Sequence, residues 1–544
     1  MWVHVPSGKG RLRTGSKCSH TQIEMDVMAD EIENPSLKQK GEVGATRAIY
    51  FDIEMAPEKA DTFPNPEKAG DQINAIACNL ISLPSYAIQK RVILVLDKCA
   101  PTPDKKSMVL SFPTEADLLI HFALLVRVYD PDWLFGYNSI NFDMKAILTR
   151  MRRLGLERIP GLGFNPLELG RRVGHACTPK VQQFESGAIG RMKYMLAAMH
   201  GRSQYDVMLM VRRDVMCRFK GYSLDEVTKA LKVKQKGHMP YEAISILQRG
   251  RYQDELKQSV TTSDWFQLMQ ALRPCMRRQP DGTRRLFWEP VKGADAKVKP
   301  TRHSHPRLLE WAKKGGYEDE FPDQVVGATW KIVHKFNIPR VEKDGRVFWE
   351  PTEFGRAAVA DYCADDAICT TEIDRQRMYT MNHIELGRLC FLSMMPLLTQ
   401  GQQVRIISVI LRFIRDSDYI VPYHRPKIVS ATDKRKRTKA YKGATVVSPF
   451  IRWFNGYEDG HIIFMDFAGL YPSIIMAFNL CYATWVRPED VAMLKARGVK
   501  MRLAPNGHYF VHESVRRGNL PAILEASTAA RGDAKKGIAV ADQR

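Results

Sequence analysis

Residues 464–481 read FMDFAGLYPSIIMAFNLC, and this stretch decides how the second half of the chain is interpreted. The apolar residues 462–464 predict a buried strand that ends beside Asp466. Gly469 then interrupts the strand, and an apolar helix with Pro472 in its first turn is expected to follow. A carboxylate at such a corner, close to backbone N–H groups, suits a divalent metal and a triphosphate. The alternative is a plain βα unit in which Asp466 caps the helix.

The surroundings of this stretch carry a family resemblance. Residues 466–475 follow the pattern D-x-x-G-L-Y-P-S-I-I, with NLC at 479–481, VHESVRRGNLPAILE at 511–525 and YKGATV at 441–446. Together these segments resemble the first palm motif of family B DNA polymerases and its flanks. The flanks are most similar to the delta-type enzymes of eukaryotes and to those of large DNA viruses. Gly469 departs from the family, which usually has Ser at that position.

The resemblance implies roles for residues of the motif and of the segment before it. Asp466 would be a catalytic metal ligand. Tyr471, beside Leu470, would lie under the sugar of the incoming nucleotide and exclude a 2′-hydroxyl. The segment before the motif would contact DNA through three residues, Tyr441, Lys442 and Gly443.

The stretch 518–537 predicts a helix that bears Arg531 and Lys535. Residues four apart share a helix face, so both cations can grip one triphosphate. By resemblance this is the first fingers helix, and the two cations are its nucleotide-binding residues. The residues alone leave an ordinary exposed helix face open as the alternative.

A second carboxylate pattern occurs early in the chain, where residues 47–54 read RAIYFDIE and predict a strand. Since side chains alternate along a strand, Asp52 and Glu54 project from the same face about 7 Å apart, close enough to share a metal site. Two solvated acids at a strand edge are the alternative, because a D-x-E triplet alone is a weak signal.

Two later patterns support a functional role for this triplet. NSINFD occupies residues 138–143 and YCADD occupies residues 362–366. In this order, D-x-E, N-x-x-x-F-D and Y-x-x-x-D resemble the three exonuclease motifs of family B proofreading domains. Hydrolysis of a phosphodiester by two hard cations about 4 Å apart requires carboxylate ligands. The resemblance implies two Mg²⁺ ions, with Mn²⁺ as an alternative, bound by Asp52, Glu54, Asp143 and Asp366.

The same resemblance implies supporting residues. Tyr362 would orient the attacking water. Asp365 and Asp366 are both candidates for the ligand position. Asp366 is the fourth residue after Tyr362 and shares its helix face, whereas Asp365, the third, points slightly aside, so Asp366 is preferred. Asn138 and Phe142 would hold the primer end; packing of a buried turn is the alternative for both.

Composition is consistent with a nucleic-acid partner. The 544 residues carry a net charge of +21 and are 44% hydrophobic, enough for several folded domains. A sustained excess of Lys and Arg favours a polyanion such as DNA. The sequence has no apolar run near the roughly 20 residues that span a bilayer and no secretory signal. Its ten cysteines include no C-x-x-C pair, so reduced thiols and an intracellular protein are expected.

The motifs predict an α/β chain with a ribonuclease H-like 3′–5′ exonuclease domain followed by a partial polymerase palm. The expected boundaries are a poorly packed lead-in over 1–45, the exonuclease over 46–380, a helical connection over 381–440, the palm over 441–517 and the start of the fingers over 518–544. The lead-in and an insert at about 250–350 are expected to lie outside the resemblance. Within the insert, DGTRRLFWEP at 281–290 and DGRVFWEP at 344–351 predict two similar hairpins.

The chain is therefore expected to be the N-terminal portion of a family B DNA polymerase that takes part in replication. The stretches that supply the second palm carboxylate and the second fingers helix are not found in it, so nucleotidyl transfer would need a second polypeptide. The expected partners are primer–template and single-stranded DNA and deoxynucleoside triphosphate, with a sliding clamp left open and no membrane. A stand-alone exonuclease and a catalytically silent DNA-binding protein are the alternatives. Nucleus and viral replication site both stay open as locations.

Overall fold

The structure is a computed structural model. It describes residues 4–21, 23–33, 44–59, 62–104, 106–186, 190–214, 219–234, 239, 241–252, 272–278, 284–290, 338–415, 419–421, 447–458 and 460–541. The chain divides into two compact units, one formed by residues 1–388 and 393–400 and the other by 389–392 and 401–544.

The first unit contains both strands and helices. Its strands are β1 Arg11–Leu12, β2 Met25–Asp26, β3 Thr46–Ala56, β4 Gln72–Leu83, β5 Ala87–Leu96, β6 Ser107–Phe112, β7 Trp133–Gly136, β8 Thr178–Ser186, β9 Gly190–Ala198, β10 Ser203–Asp206, β11 Arg251–Tyr252, β12 Leu272–Arg278, β13 Arg284–Pro290, β14 Arg340–Lys343 and β15 Arg346–Trp349. The helices up to residue 399 are α1 Glu115–Tyr129, α2 Asp143–Arg153, α3 Val207–Arg213, α4 Leu224–Leu231, α5 Tyr241–Arg249, α6 Glu353–Arg377, α7 Tyr379–Cys390 and α8 Met394–Thr399.

A six-stranded mixed sheet with the order β10-β7-β3-β4-β5-β6 forms the centre of this unit. β3, β4 and β5 are antiparallel neighbours, whereas β7 runs parallel to β3, β10 parallel to β7 and β6 parallel to β5. Three antiparallel strands extended by two parallel ones on the side of the first strand are the ribonuclease H-like arrangement. The predicted α/β fold class is confirmed.

Alternate residues of β3 belong to different cores on the two faces of the sheet. Ile49 and Phe51 pack in a core with helices α1 and α2. Tyr50 packs on the opposite face with residues of α3 and α6. Asp52 and Glu54 are two and four residues beyond Tyr50, so the strand directs both carboxylates toward the face that α6 covers.

A buried ion pair joins α1, α2 and the loop before β4. The guanidinium of Arg150 donates to Glu115 from Nε at 2.8 Å and from Nη2 at 2.5 Å, and its Nη1 donates to the carbonyl of Lys68 at 2.6 Å. Glu115 Oε1 also accepts the N–H of Ile73 at 2.8 Å. The two charged side chains are 1% and 2% exposed, so each depends on the other for its solvation.

The local predictions in this unit are largely confirmed. Helix α1 begins after Thr114, whose side chain accepts the N–H of Asp117 at 3.1 Å. Both hairpins of the insert form, β12 with β13 and β14 with β15. The second hairpin turns at Asp344 and Gly345, with φ of 53° and 68°, as a two-residue type I′ turn requires. The first D-G turn, at 281–282, lies outside the described residues.

The lead-in contains a little regular structure, and none of its described residues up to 33 is buried. β1 and β2 pair as an antiparallel ribbon. His20 attaches this segment to the first unit, because its ring Nε2 lies 2.9 Å from Glu168 Oε2 and its backbone N–H donates to the carbonyl of Arg171 at 2.6 Å.

The second unit contains shorter elements. After residue 400 they are the helices α9 Gln402–Ile414, α10 Leu470–Ala477, α11 Val491–Ala496 and α12 Asn519–Ala541, and the strands β16 Trp485–Val486, β17 Met501–Leu503 and β18 Tyr509–Val511. The three strands form one antiparallel sheet in the order β16-β18-β17. Helix α12 confirms the helix predicted from 518. Over the described residues, no helix combines the length and the apolar character needed to cross a bilayer.

The buried strand predicted at 462–464 is wrong. These residues adopt no regular secondary structure, and Ile463 and Phe464 are 79% and 93% exposed. A strand needs a partner for its backbone N–H and C=O groups, and none of the described strands of this unit pairs with the segment. The predicted helix does form, and it begins at Gly469, whose φ of 64° is left-handed and favours glycine.

We expect Arg150→Met to lower the free energy of unfolding by about 3–5 kcal/mol, because Glu115 is left charged and buried without its partner. Arg153→Met is the matched control: Arg153 is on the same helix and donates to the carbonyl of Glu67 at 2.7 Å, but at the surface. Arg153→Met should lower the free energy of unfolding by less than about 1 kcal/mol. Urea denaturation of the whole chain followed by circular dichroism measures both, and equal losses would contradict the prediction.

Candidate active site

The acids of the D-x-E triplet meet a third carboxylate from helix α6. One carboxylate oxygen each of Asp52, Glu54 and Asp366 lies within 4.8 Å of the other two. Asp366 is buried, whereas Asp52 and Glu54 are partly exposed. Asp366 is more than 300 positions from Asp52 and Glu54 in sequence. The three acids meet because α6 packs on the face of β3 and β4 to which the acids point.

The structure separates the two neighbouring acids of α6. Asp366 joins the acidic cluster, while the carboxylate of Asp365 forms an ion pair with the ammonium of Lys234. Tyr362, one turn before Asp366 on the same helix, is partly exposed. This is the arrangement expected if the fourth residue after the tyrosine is the ligand.

Asp143 is the first residue of α2 and is buried. Burial raises the pKa of Asp143 above its ordinary value, the backbone N–H groups of Asp143 and Ile53 oppose this rise, and the charges of Asp206 and Asp366 add to it. Asp143 is not within the three-acid cluster, but its pKa responds to Asp366. The four predicted acids therefore share one region of concentrated negative charge.

The donor set fits a hard divalent cation. The cluster offers only carboxylate oxygens, which Mg²⁺ and Mn²⁺ prefer. The nearby thiol of Cys363 donates to the carbonyl of Asp52 at 3.3 Å and lies 3.8 Å from its Oδ2. Burial raises the pKa of Cys363 far above its ordinary value, and the charges of Asp52 and Glu54 raise it further. The residue thus stays a neutral thiol, so the cluster is not a thiolate site for a soft metal.

The turn between β7 and α2 is held by Asp206, a buried acid at the end of β10. Its carboxylate accepts the N–H of Asn138 at 3.0 Å and that of Ile140 at 3.2 Å, and it also caps helix α3. Asn138 adopts a φ of 59°, and its carbonyl accepts the N–H of Phe142 at 3.2 Å. The predicted primer-end residues Asn138 and Phe142 thus belong to one fixed turn that leads directly into Asp143.

Sequence reasoning assigned no role to Asp206, Cys363 or Lys234. A signal existed for Asp206, since an acid between a strand and a helix is a preferred cap. Cys363 adjoins the predicted Tyr362, but its contact with Asp52 depends on the packing of α6 against β3. Lys234 could be recognised only from the structure, because its partner is 131 residues away.

The predicted polymerase residues lie in the second unit and are exposed. Asp466 is in the irregular segment before α10, and helix α10 has no side-chain cap, so the alternative of Asp466 as the cap is not supported. In the part of the chain that the structure describes, Asp466 belongs to no group of three or more side chains that could bind one metal ion. Leu470 and Tyr471 open α10, and Arg531 and Lys535 are exposed on α12. The predicted DNA contacts Tyr441, Lys442 and Gly443 lie outside the described residues.

Asn479 holds α10 and α12 together. It is fully buried with a φ of 54°, and its amide Nδ2 donates to the carbonyls of Val511 at 2.8 Å and Arg516 at 2.9 Å. Its Oδ1 accepts the N–H of Gly518 at 2.9 Å, just before α12 begins. The N-L-C triplet that follows the palm motif is therefore a structural joint between the helices that carry Tyr471 and Arg531.

Two family models match the chain. The exonuclease domain of DNA polymerase family B matches residues 1–227, and DNA polymerase family B matches residues 392–544. The expectation that the first 45 residues lie outside the resemblance is wrong, because the first match begins at residue 1. Tyr362 and Asp366 lie between the two matched ranges.

The chain is similar to the DNA polymerase delta catalytic subunits of several eukaryotes. It is 28% identical to that of Mesocricetus auratus over 99% of this chain and 37% of the relative. It is 27% identical to that of Schizosaccharomyces pombe over 98% of this chain and 38% of the relative. It is 26% identical to that of Drosophila melanogaster over 99% of this chain and 39% of the relative. These alignments also span the insert. The chain thus covers less than two fifths of the length of these relatives.

The buried acid Asp206 should make stability depend on pH. Burial raises the pKa of Asp206 to about 6, against an unfolded value of about 3.9. Its protonated form therefore stabilises the fold below about pH 4, and this contribution is lost as pH rises through about 6. Between pH 4.5 and 7.5 the natural chain should lose this contribution, about 2 kcal/mol of unfolding free energy. Asp206→Asn cannot titrate, so its unfolding free energy should rise by about 2 kcal/mol relative to that of the natural chain over the same range. Urea denaturation at both values measures this, and the exposed control Asp225→Asn should show no such change.

Asn479→Ala should loosen the contact between α10 and α12. It leaves two partly buried carbonyls and one buried N–H without their side-chain partner, which costs about 2–4 kcal/mol of local stability. Hydrogen exchange of peptides covering 511–530 should speed up at least tenfold. Asn506→Ala removes a side chain whose Oδ1 accepts the N–H of His508 at the surface, and it should leave the exchange of that segment unchanged. Unchanged exchange in both variants would refute the role of Asn479.

Proposed function

The chain belongs to DNA polymerase family B, and on that premise we propose that its first unit is a metal-dependent 3′–5′ exonuclease acting on DNA. The observation that carries the proposal is the cluster of Asp52, Glu54 and Asp366, whose oxygens lie within 4.8 Å of one another. The matched exonuclease model and the net charge of +21 support DNA as the substrate.

The residues have separable tasks in this proposal. Asp52, Glu54, Asp366 and Asp143 would hold two divalent cations, most simply Mg²⁺. When bound, such ions supply an activated water and stabilise the leaving oxygen. Tyr362 would orient that water from one helical turn before Asp366. Asn138 and Phe142, fixed in the turn that Asp206 holds, would position the 3′ end of the strand.

We extend the proposal to the second unit as part of a polymerase. Asp466 would bind a catalytic metal, Leu470 and Tyr471 would contact the nucleotide, and Arg531 and Lys535 would bind its triphosphate. Tyr441, Lys442 and Gly443 would contact the template–primer. Nucleotidyl transfer needs a second carboxylate near Asp466, and among the described residues Asp466 belongs to no group of three or more potential metal ligands. Polypeptide beyond these 544 residues, continuous with the chain or separate, would therefore complete the site.

The proposed organisation follows the motifs. The exonuclease would occupy 46–380, the connection 381–440, the palm 441–517 and the fingers segment 518–544. A role in DNA replication inside the cell is proposed from the relatives named above. The proposed location is the nucleus or, by the sequence resemblance to enzymes of large DNA viruses, a viral replication site. A sliding clamp is a further partner that this role would allow.

The proposed exonuclease is tested on a 5′-labelled single strand and on a mismatched primer–template with Mg²⁺. The natural chain should shorten both from the 3′ end in single-nucleotide steps. Asp52→Ala/Glu54→Ala removes two ligands and should lower the rate by at least about a thousandfold. Glu489→Ala/Asp490→Ala, which removes two acids from the other unit, should leave the rate unchanged.

Three outcomes separate the hypotheses for this chain. Stepwise shortening that disappears in the first variant supports the exonuclease. DNA binding without shortening, in a sample that is folded and binds Mn²⁺, would leave a catalytically silent DNA-binding protein. Shortening that survives in the first variant would assign the activity to other residues and refute the proposed site.

A further inference from the structure

A short segment at the end of helix α4 lies along helix α6. This strap, residues 231–234, contacts three positions of α6. The carbonyl of Leu231 accepts from Gln376 Nε2 at 3.1 Å, and the carbonyl of Lys234 accepts from Cys369 Sγ at 3.2 Å. The ammonium of Lys234 makes the ion pair with Asp365.

The strap and the helix are not fully packed against each other. A cleft of about 470 Å³ opens between them, lined by residues of both segments. Leu231 and Val233 of the strap pack against the core that includes Cys369 and Ile373 of α6. The polar contacts add to this packing and fix the position of Lys234 relative to the helix. The Lys234–Asp365 pair is at the end of the strap nearest the acidic cluster, with side-chain exposures of 49% and 19%.

The charges around this pair explain why a lysine is needed there. Asp361 and Asp365 are four residues apart on α6 and repel each other. Burial raises the pKa of Asp361, Asp365 and Asp104 add to the rise, and the ammonium of Lys234 opposes it. Lys234 is thus the cation that balances two acids on this face of the helix. Two further groups of α6 face the strap. Cys369 donates from its thiol and carries no charge, and Glu372 forms an ion pair with Arg375 on the same helix.

The two balanced acids immediately precede the two residues of the site. Asp361 comes directly before Tyr362, and Asp365 comes directly before Asp366. Consecutive residues of a helix are about 100° apart around its axis, so the direction of Asp365 fixes the direction of Asp366. A rotation of α6 that released Asp365 from Lys234 would turn Asp366 away from Asp52 and Glu54.

We propose that Lys234 is a positioning residue of the exonuclease site: its ion pair with Asp365 holds the turn of α6 that carries Tyr362 and Asp366 toward the acids of β3. This inference rests on the proposed function of the acidic cluster. Lys234 touches neither the substrate nor a metal in this role. It acts through Asp365 and the orientation of the helix.

Charge reversal and charge exchange test the pair. Lys234→Glu should lower kcat of the exonuclease about tenfold with KM changed less than about twofold, because the fault lies in the geometry of the site and not in DNA binding. Mn²⁺ affinity, measured from the free-ion signal in electron paramagnetic resonance, should fall severalfold. Lys234→Glu/Asp365→Lys restores an ion pair and should recover both values to within about threefold, as should the conservative Lys234→Arg.

A matched control exists five residues earlier. Lys229 pairs with Asp225 at 2.6 Å on α4, with a similar exposure of 57%. Lys229→Glu and Lys229→Glu/Asp225→Lys should leave kcat and Mn²⁺ affinity unchanged within about twofold. Thermal unfolding is followed for every variant, and Lys234→Met, a milder change, replaces Lys234→Glu if the latter does not fold.

The outcomes distinguish this inference from the proposed function. If the natural chain binds Mn²⁺ but does not degrade DNA, the exonuclease proposal fails and the Mn²⁺ affinities still decide the role of Lys234. A rise in KM with kcat unchanged, not recovered by the charge exchange, would make Lys234 a DNA contact and overturn the inference. Equal values for the Lys234 and Lys229 variants, or a natural chain that neither binds Mn²⁺ nor cleaves, would also overturn it.

Discussion

The first unit depends on one constraint, which is that its central strand carries two carboxylates on a face that must be covered. β3 is buried on both sides, and its alternate residues supply apolar side chains to two cores. Asp52 and Glu54 interrupt the apolar pattern of one face and cannot be left unsolvated beneath a helix. Helix α6 covers that face with the thiol of Cys363, the carboxylate of Asp366 and small residues such as Ala360 and Ala367. The acidic cluster is the consequence of this packing.

Sequence patterns predict what is local and repeated in this structure. The alternation in β3, the hydroxyl cap of Thr114 and the D-G turn at 344–345 each involve neighbouring residues, and each forms as predicted. The choice of Asp366 over Asp365 also follows from helix geometry, and the structure places them accordingly. The contacts of Asp206 with the 138–142 turn and of Lys234 with α6 join distant segments, and no spacing in the sequence encodes them.

The wrong strand prediction at 462–464 shows what an apolar sequence pattern cannot predict. Apolar residues describe the surface that a segment would bury, but a strand exists only when another strand satisfies its backbone. Helix α10, eight residues on, needs no such partner because its hydrogen bonds are internal, and it forms where predicted. The same reasoning explains why Arg531 and Lys535 are held on a long regular helix while Asp466 lies in an irregular segment.

Burial divides the four acids of the first unit into two kinds, and this division has a chemical meaning. Asp143 and Asp366 are buried, and each lies on a helix that is anchored elsewhere, α2 through the Arg150–Glu115 pair and α6 through its contacts with the strap. Asp52 and Glu54 are partly exposed on the strand. Buried carboxylates on anchored helices lose little conformational freedom when an ion binds, whereas Asp52 and Glu54 keep contact with solvent. In the proposed exonuclease, a strand phosphate would add negative charge to a region where burial and neighbouring acids already raise the pKa of Asp143. Cations bound by the four carboxylates, as proposed, would compensate this added charge.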